Sequence, residues 1–324
     1  FYFLQIARLN LFANLKSKNK MTAELLKELQ NIIFETFYIY PQWVSAALIA
    51  TIGACVGSFI NVVTYRAPLI QKAKEDQYVV DNYGLEKPKN FFNNKVRSHC
   101  PTCMEKIPTL LNIPIFGWLL LKGKSKCCGE TISPKYILIE LLTAAFAAGV
   151  FMIHGQIDLQ LILALVAIFA AITISTIDFS HKLIFDKHAV IYSASSLFYL
   201  HAYSGQSDFV FTGALITLIL YLGVIAYQGI RNTVMNSDVQ MMGDGDWSLW
   251  FVMFCIISSL EPEASGLISR TAETVLLVAA LGFLTLILGF ILDKALKGRV
   301  TLSQEFPAAP SILCASIGLI LTTL

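Results

Sequence analysis

The sequence predicts an all-α polytopic membrane protein of about eight transmembrane helices, with a small loop domain on the cytoplasmic side. Apolar residues make up 56% of the 324 residues and charged residues only 14%, whereas about a quarter of an ordinary soluble domain is charged. Long apolar runs recur along the chain, and four of the seven cysteines fall in one polar stretch. We therefore interpret the 324 residues as a series of transmembrane spans rather than as soluble domains.

Eight apolar runs approach the length of a transmembrane helix, which needs about 20 apolar residues to cross the hydrocarbon layer. They lie at residues 43–65, 136–153, 158–179, 188–203, 210–230, 247–260, 273–293 and 309–323. The fourth, sixth and eighth runs are short, so we expect them to need polar flanks or help from neighbouring helices.

These runs divide the chain into four regions. Residues 1–42 form an N-terminal tail, residues 43–65 the first span, residues 66–135 a loop domain, and residues 136–324 a membrane domain of seven spans. The apolar part of the first twenty residues is too short to span and lacks a signal-peptide cleavage site. Because Met21 looks like a natural start, we expect that segment to be an interfacial helix or an artefact preceding the start.

Lys and Arg predict the orientation, because cytoplasmic loops collect them. Residues 66–135 contain twelve of them, which places this loop domain in the cytoplasm. The loops at 180–187, 231–246 and 294–308 then also lie in the cytoplasm, and together they carry six Lys or Arg residues. The loops between spans on the opposite side carry only Arg270. The five positive charges of residues 1–42 are the exception, since that tail lands outside. We expect the lipid bilayer as a partner, and the net charge of +2 gives no reason to expect nucleic acid.

Two aspartates stand at the ends of apolar runs. Asp178 closes the third span and Asp246 opens the sixth, and an ionisable residue there is by default a functional hypothesis. Taken singly, Asp178 could be solvated by headgroups and Asp246 could be a helix N-terminal charge. The orientation inferred from Lys and Arg alone places both on the cytoplasmic face, which predicts the acid/base pair of an intramembrane aspartyl protease.

A neighbouring acid competes with Asp246 for this role. Asp244 stands two residues earlier, in the sequence GDGD at residues 243–246. We favour Asp246 because Gly243 and Gly245 let the backbone approach a substrate closely.

Four cysteines predict a metal site in the loop domain. Cys100 and Cys103 form a C-x2-C pair, and Cys127 and Cys128 follow 24 residues after it. This spacing is typical of a zinc ribbon, and in a reducing cytoplasm a metal is favoured over disulfides. Two adjacent cysteines are awkward ligands for one ion, so the alternative is a loop that has lost its metal and folds by packing alone.

Several motifs resemble the type IV prepilin peptidases, which are prepilin leader peptidase/N-methyltransferases. They occur in the family's order from about residue 43 to the end of the chain. They are GSFINVVTYRAP at 57–68, CPTC at 100–103, NIPIFGWLLLKG at 112–123, IDFSHKLIFD at 177–186, GDGD at 243–246, and the prolines before the last span.

The resemblance implies a bacterial inner-membrane enzyme with Asp178 and Asp246 as its catalytic residues. Such enzymes remove the basic leader of type IV prepilins or pseudopilins and methylate the new N-terminus with S-adenosylmethionine. No G-x-G-x-x-G follows a predicted strand, so we expect membrane helices and the cysteine loop to form the methyl-donor site, whose residues the sequence does not identify. Glu140, on the second span, is the one buried acid that could serve it, but we favour a helix-packing or interfacial role for it.

The chain departs from the family pattern at a few positions. Ser125 stands where the first cysteine of the second pair would lie, so Cys127 must substitute if the metal site is kept. Ser248 replaces a lysine after the second catalytic motif. These changes are compatible with a non-catalytic membrane scaffold or assembly factor, which is the alternative function. A proton-coupled transporter fits less well, because relay carboxylates lie nearer the midplane.

Overall fold

The chain is α-helical through most of the part that the computed structural model describes, which is residues 41–84, 98–205, 207–235, 243, 245–260 and 309–321. Within these residues there are two isolated β-bridges and no extended strand. The helices found there are α1 (Gln42–Tyr83), α2 (Phe116–Leu120), α3 (Lys135–His154), α4 (Leu159–His181), α5 (Asp186–Ser204), α6 (Asp208–Met235), α7 (Asp246–Leu260) and α8 (Ala309–Leu321), with a 3-10 turn at Thr109–Asn112.

Four helices of this described part are long and apolar enough to cross a membrane, namely α1, α3, α4 and α6. The helices α5, α7 and α8 cover the three short apolar runs and do not reach that combination of length and hydropathy. The predicted span at 273–293 lies outside the described residues. The prediction of a helical membrane protein is confirmed, and the number of eight spans stays a prediction.

Helix α1 continues beyond the predicted end of the first span at residue 65. It runs to Tyr83 with Pro68 inside it. Beyond the proline, Gln71 donates a hydrogen bond to Glu75 at 2.8 Å and Gln77 donates one to Asp81 at 2.5 Å. Because side chains four positions apart support a solvated helix, these pairs explain why the helix crosses the predicted boundary between span and loop.

Close packing of α1 against α3 depends on two glycines. A Cβ added at Gly53 would lie 2.6 Å from the backbone oxygen of Thr143. One added at Gly57 would lie 2.2 Å from Thr143 Oγ1 and 2.8 Å from Glu140 Cα. The pattern Gly53-x3-Gly57 therefore serves helix packing, as small residues at this spacing do in membranes.

The core of the described bundle lies around α4. Alanines at 164, 167 and 171 are fully buried along this helix, so their small side chains let neighbouring helices approach. Helices α5 and α8 pack against α4, and α7 contacts both α5 and α8. Large apolar side chains also remain on the outside, among them Ile52, Phe59 and Leu138, as expected where a helix faces lipid rather than water.

Replacement of Gly57 by alanine should destabilise the bundle, because the new methyl group would clash with α3. We expect the free energy of unfolding to fall by about 1–3 kcal/mol, measured by denaturant unfolding in detergent micelles. The matched control is Gly149→Ala on α3, where an added Cβ meets nothing within 4 Å and alanine favours the helix. Equal stability of the two variants would contradict the packing.

Candidate functional site

Asp178 lies buried in the last turn of α4. Its Oδ2 accepts a hydrogen bond of 3.2 Å from the backbone N–H of Ala309, the first residue of α8. The helix stops one turn later at Lys182, which has a φ of 58° and donates its N–H to the Asp178 carbonyl. The N-terminal end of α8 therefore provides a polar partner for a carboxylate that the rest of the bundle shields from water.

Asp246 is the first residue of α7 and helps to form the turn before it. Its Oδ2 accepts a hydrogen bond of 3.1 Å from the N–H of Gly243, and its own N–H donates to the Gly243 carbonyl at 3.1 Å. Ser248 Oγ donates to the Gly245 carbonyl at 2.8 Å. The side chain of Asp246 is thereby held at the helix start. Asp244, the competing acid, lies outside the described residues.

The fold brings these two aspartates to the same end of the bundle, close enough to interact electrostatically. The contact that holds them there is between Gly245 and Ile184 in the loop from α4 to α5. A Cβ added at Gly245 would lie 2.8 Å from the Cβ of Ile184, so only glycine allows this approach. Two carboxylates that share a low-dielectric site cannot easily both be ionised, and such a pair suits the sharing of one proton.

Two lysines surround the ring that follows Asp178. The Nζ of Lys135 lies 5.8 Å from the centre of the Phe179 ring, and the Nζ of Lys182 lies 5.9 Å from it. Lys135 is the first residue of α3, so the beginning of α3 and the end of α4 lie side by side. The aspartates are therefore next to the loop domain rather than isolated in the bundle.

The sequence did not identify two participants of this site. The backbone N–H of Ala309 bonds Asp178, and Ile184 contacts Gly245. Pro310 was a signal for the first of these, because proline is common in the first turn of a helix, where backbone N–H groups are free to bind an anion. Nothing in the sequence marks Ile184.

The four cysteines of the loop domain form one cluster. The Sγ atoms of Cys100, Cys103, Cys127 and Cys128 all lie within 4.8 Å of one another. The Sγ–Sγ distance is 3.7 Å for Cys100 and Cys128, 3.1 Å for Cys103 and Cys127, and 4.0 Å for the adjacent Cys127 and Cys128. Four thiolates at about 2.3 Å from a tetrahedral zinc stand about 3.8 Å apart, so the cluster could hold a metal ion.

The first cysteine pair lies on a tight turn. The N–H of Cys100 donates to the carbonyl of Glu105 at 2.8 Å, and the N–H of Met104 donates to the carbonyl of Cys100 at 2.9 Å. Met104 has a φ of 61°, the left-handed conformation that closes the turn. This backbone arrangement directs the side chains of Cys100 and Cys103 to the same side.

The second pair lies on a turn with the same hydrogen bonds. The N–H of Ser125 donates to the Glu130 carbonyl at 2.7 Å, and the N–H of Gly129, with φ 71°, donates to the Ser125 carbonyl at 2.9 Å. Ser125 therefore holds the position that Cys100 holds in the first turn. Its Oγ lies 2.9 Å from the Sγ of Cys127, so the fourth sulfur reaches the cluster from two residues further along.

The turn around the first pair favours a thiolate. Hydrogen bonds from the backbone of Cys103 and Thr102, and then from the hydroxyl of Ser125, lower the pKa of Cys100 to about 6. The neighbouring sulfur of Cys127 raises the pKa of Cys103 to about 12. Backbone donors that converge on one sulfur are a property of sites that bind a metal through thiolates.

Comparisons with known proteins match parts of this chain. A sequence model of the bacterial peptidase A24 N-terminal domain matches residues 51–154, which include most of α1, the cysteine cluster and α3. No solved structure matches the chain.

Several curated relatives are named prepilin leader peptidase/N-methyltransferase. One from Dichelobacter nodosus is 34% identical over 223 residues, which are 65% of this chain and 67% of the relative. One from Pectobacterium carotovorum subsp. carotovorum is 37% identical over 121 residues, 36% of this chain and 43% of the relative. One from Klebsiella pneumoniae is 41% identical over 124 residues, 36% of this chain and 48% of the relative. The last two matches thus cover less than half of those relatives.

Proposed function

Because the chain belongs to the prepilin leader peptidase/N-methyltransferase family, we propose that it is an intramembrane aspartyl endopeptidase. It cleaves the basic leader from type IV prepilins or pseudopilins. This proposal depends on one observation. Asp178 and Asp246 belong to helices that are far apart in the sequence, and they lie within electrostatic range of each other at one end of the bundle. An ionisable residue at the end of an apolar helix is by default a functional hypothesis, and here two of them meet.

Hydrolysis needs the two carboxyl groups in different protonation states. The ionised one takes a proton from water as the water oxygen adds to the scissile carbonyl, and the protonated one donates to the carbonyl oxygen. The C–N bond then breaks, and the leaving amine takes up a proton. The hydrogen bonds from Ala309 to Asp178 and from Gly243 to Asp246 fix one oxygen of each carboxyl group and leave the other for water or substrate.

The reaction takes place at the cytoplasmic face of a bacterial inner membrane in this proposal. Lys135 and Lys182 beside Phe179 are the kind of residues that collect at that face. The cysteine cluster continues from the same end of α3. A prepilin would enter from the bilayer as an apolar helix, with its leader in the cytoplasm.

The cysteine cluster holds a structural zinc ion in this proposal. Its four sulfurs already stand near the separation of a tetrahedral site, and a closed set of four thiolates is typical of structural rather than catalytic zinc. The ion would hold the two turns together. It takes no part in hydrolysis.

The second reaction of the family is N-methylation, and we propose it for this chain as well. When bound, S-adenosylmethionine would supply the methyl group, and the new N-terminal nitrogen would give up a proton on accepting it. The proximity of α3 to the end of α4 means that the new N-terminus would be released beside the loop domain.

Asparagine at either aspartate should abolish cleavage. Asp178→Asn and Asp246→Asn each keep the shape and remove the titratable group, so we expect a loss of about 10³-fold or more, measured as prepilin processing in vesicles. The control is Asp158→Asn, at the other end of α4, where Asp158 caps the helix by accepting from the N–H of Leu161 at 2.8 Å. Asparagine caps about as well. Undiminished processing by either active-site variant would reject the proposal.

Alanine at Gly245 should impair cleavage without removing an acid. Its Cβ would lie 2.8 Å from the Cβ of Ile184, so the turn must move away and carry Asp246 with it. A displacement of about 1 Å in a catalytic group costs on the order of 10²-fold in rate, to be measured as the turnover number with a prepilin peptide. Gly229→Ala on α6 is the control, since nothing lies within 4 Å of its added Cβ. Equal rates for both variants would show that the contact does not position Asp246.

From the proposed metal site we expect one zinc ion per chain. The zinc content is to be measured by elemental analysis of the purified protein. Cys127→Ser should lose most of it because one of four thiolates is gone. The control Cys55→Ser removes an exposed cysteine of α1 that is outside the cluster. The double variant Ser125→Cys with Cys127→Ser should regain zinc, because position 125 matches Cys100 in the other turn. Stoichiometric zinc in Cys127→Ser would contradict the proposed ligand set.

A further inference from the structure

Two of the four sulfurs in the cysteine cluster are closer together than two ligands of one zinc ion. The Sγ atoms of Cys103 and Cys127 are 3.1 Å apart, and Cys103 donates a hydrogen bond to Cys127. The edge of a tetrahedral zinc–thiolate site measures about 3.8 Å, and a disulfide bond about 2.05 Å. The distance between Cys103 and Cys127 lies between these two values, whereas the distance of 3.7 Å between Cys100 and Cys128 matches the zinc site.

The close contact results from the position of Cys127 in the second turn. Ser125 has the hydrogen-bonding position that Cys100 has in the first turn, so the fourth sulfur comes from a residue adjacent to Cys128. The Oγ of Ser125 lies 2.9 Å from the Sγ of Cys127 and 3.7 Å from the Sγ of Cys100. The hydroxyl group therefore occupies the space beside Cys100, and the sulfur of Cys127 lies beside Cys103 instead.

The same two cysteines are accessible from outside the cluster. Cys103 and Cys127 are exposed, whereas Cys100 is only 4% exposed. Thr102 and Met104, on either side of Cys103, are exposed as well. Metal coordination keeps a cysteine sulfur as the thiolate, and oxidation of cysteine follows both thiolate character and exposure. A small oxidant therefore reaches Cys103 and Cys127 before it reaches Cys100.

Other pairings within the cluster are less suited to a disulfide bond. Cys127 and Cys128 are adjacent in the sequence and their sulfurs are 4.0 Å apart. A bond between them would force the peptide unit that joins them away from its planar trans form. The sulfurs of Cys100 and Cys128 are also further apart than those of Cys103 and Cys127, and Cys100 is buried.

We propose that Cys103 and Cys127 form an oxidation site, at which a peroxide converts two zinc ligands into a disulfide and the metal is released. The inference rests on the proposed zinc site and adds a redox response to it. In the first step one thiolate attacks the peroxide, the O–O bond breaks, and the products are a sulfenic acid and an alkoxide, or hydroxide from hydrogen peroxide. In the second step the other thiolate attacks the sulfenic sulfur and displaces hydroxide. The two sulfurs thereby lose two electrons, which the peroxide takes up.

The disulfide would replace the metal as the link between the two turns. The thiolates of Cys100 and Cys128 remain, and two ligands do not form the closed set of four that is typical of structural zinc. Cys103 belongs to the first turn and Cys127 to the second, so the turns stay connected after the ion leaves. Cytoplasmic disulfides are usually transient or redox-sensing. A dithiol reductant, itself oxidised to a disulfide, would restore both thiols and allow zinc to bind again.

The test is treatment of the purified full chain with hydrogen peroxide, in lipid nanodiscs and after incubation with zinc. We expect release of one zinc ion per chain, measured with a chromogenic chelator, together with the loss of two free thiols. In a tryptic digest made without reductant, residues 98–106 and 127–135 each carry two of the four cysteines. Mass-spectrometric fragmentation of the linked peptides should assign the bond to Cys103 and Cys127. A bond between any other pair, or sulfinic acid without a disulfide, would overturn the proposal.

The double variant Ser125→Cys with Cys127→Ser is the matched comparison. It keeps four cysteines in the two turns, separates the adjacent pair and removes the sulfur beside Cys103. We expect it to retain zinc at a peroxide concentration that empties the wild-type chain. The control Cys55→Ser should respond as the wild type does, because Cys55 lies outside the cluster. Equal release by the double variant and the wild type would contradict the role of the close contact.

The outcomes separate the redox response from the zinc site on which it rests. Zinc that is bound by the wild-type chain and stays bound under peroxide would overturn the redox response, while the zinc site would stand. A wild-type chain that binds no zinc would overturn both the zinc site and the release of metal. The disulfide map of the wild-type chain decides the identity of the oxidised pair independently of any variant.

Discussion

The buried carboxylate of Asp178 is the constraint that organises the membrane domain. An acid at the end of an apolar helix needs polar partners, and this one obtains its hydrogen bond from a residue 131 positions away, at the start of α8. That bond forms only if α8 begins at this level and packs closely on α4. The fully buried alanines of α4 permit this packing, so core and site depend on each other.

The position of the second acid, Asp246, is determined by the backbone of the turn before α7. Asp246 is held by Gly243 and lies within electrostatic range of Asp178 because Gly245 packs closely against Ile184. The side chains of this site were visible in the sequence, since acids at the ends of apolar runs are unusual. The groups that place them were not. A backbone N–H such as that of Ala309 exists in almost every residue, so residue type cannot indicate which one will bond a carboxylate.

The cysteine cluster shows the same division between residue type and geometry. Four cysteines predicted a metal site, but the adjacent pair left the ligand geometry unclear. In the structure the two pairs lie on turns with matching hydrogen bonds, in which Ser125 takes the place that Cys100 has in the first turn, and Cys127 brings its sulfur to the cluster instead. This exchange depends on the conformation of a four-residue turn, which spacing alone does not determine. The length of α1 was likewise not determined by the sequence pattern, since the helix continues through Pro68.

Helix α3 connects the aspartate site with the cysteine turns through its first turns. Lys135 contacts the ring beside Asp178, and Glu140, little more than a turn later, lies in a cavity under the cysteine turns. The close packing of Gly57 against Glu140 also fixes the position of Glu140 on the wall of this cavity, so the rigidity of the α1–α3 pair extends from the bundle to the cysteine turns.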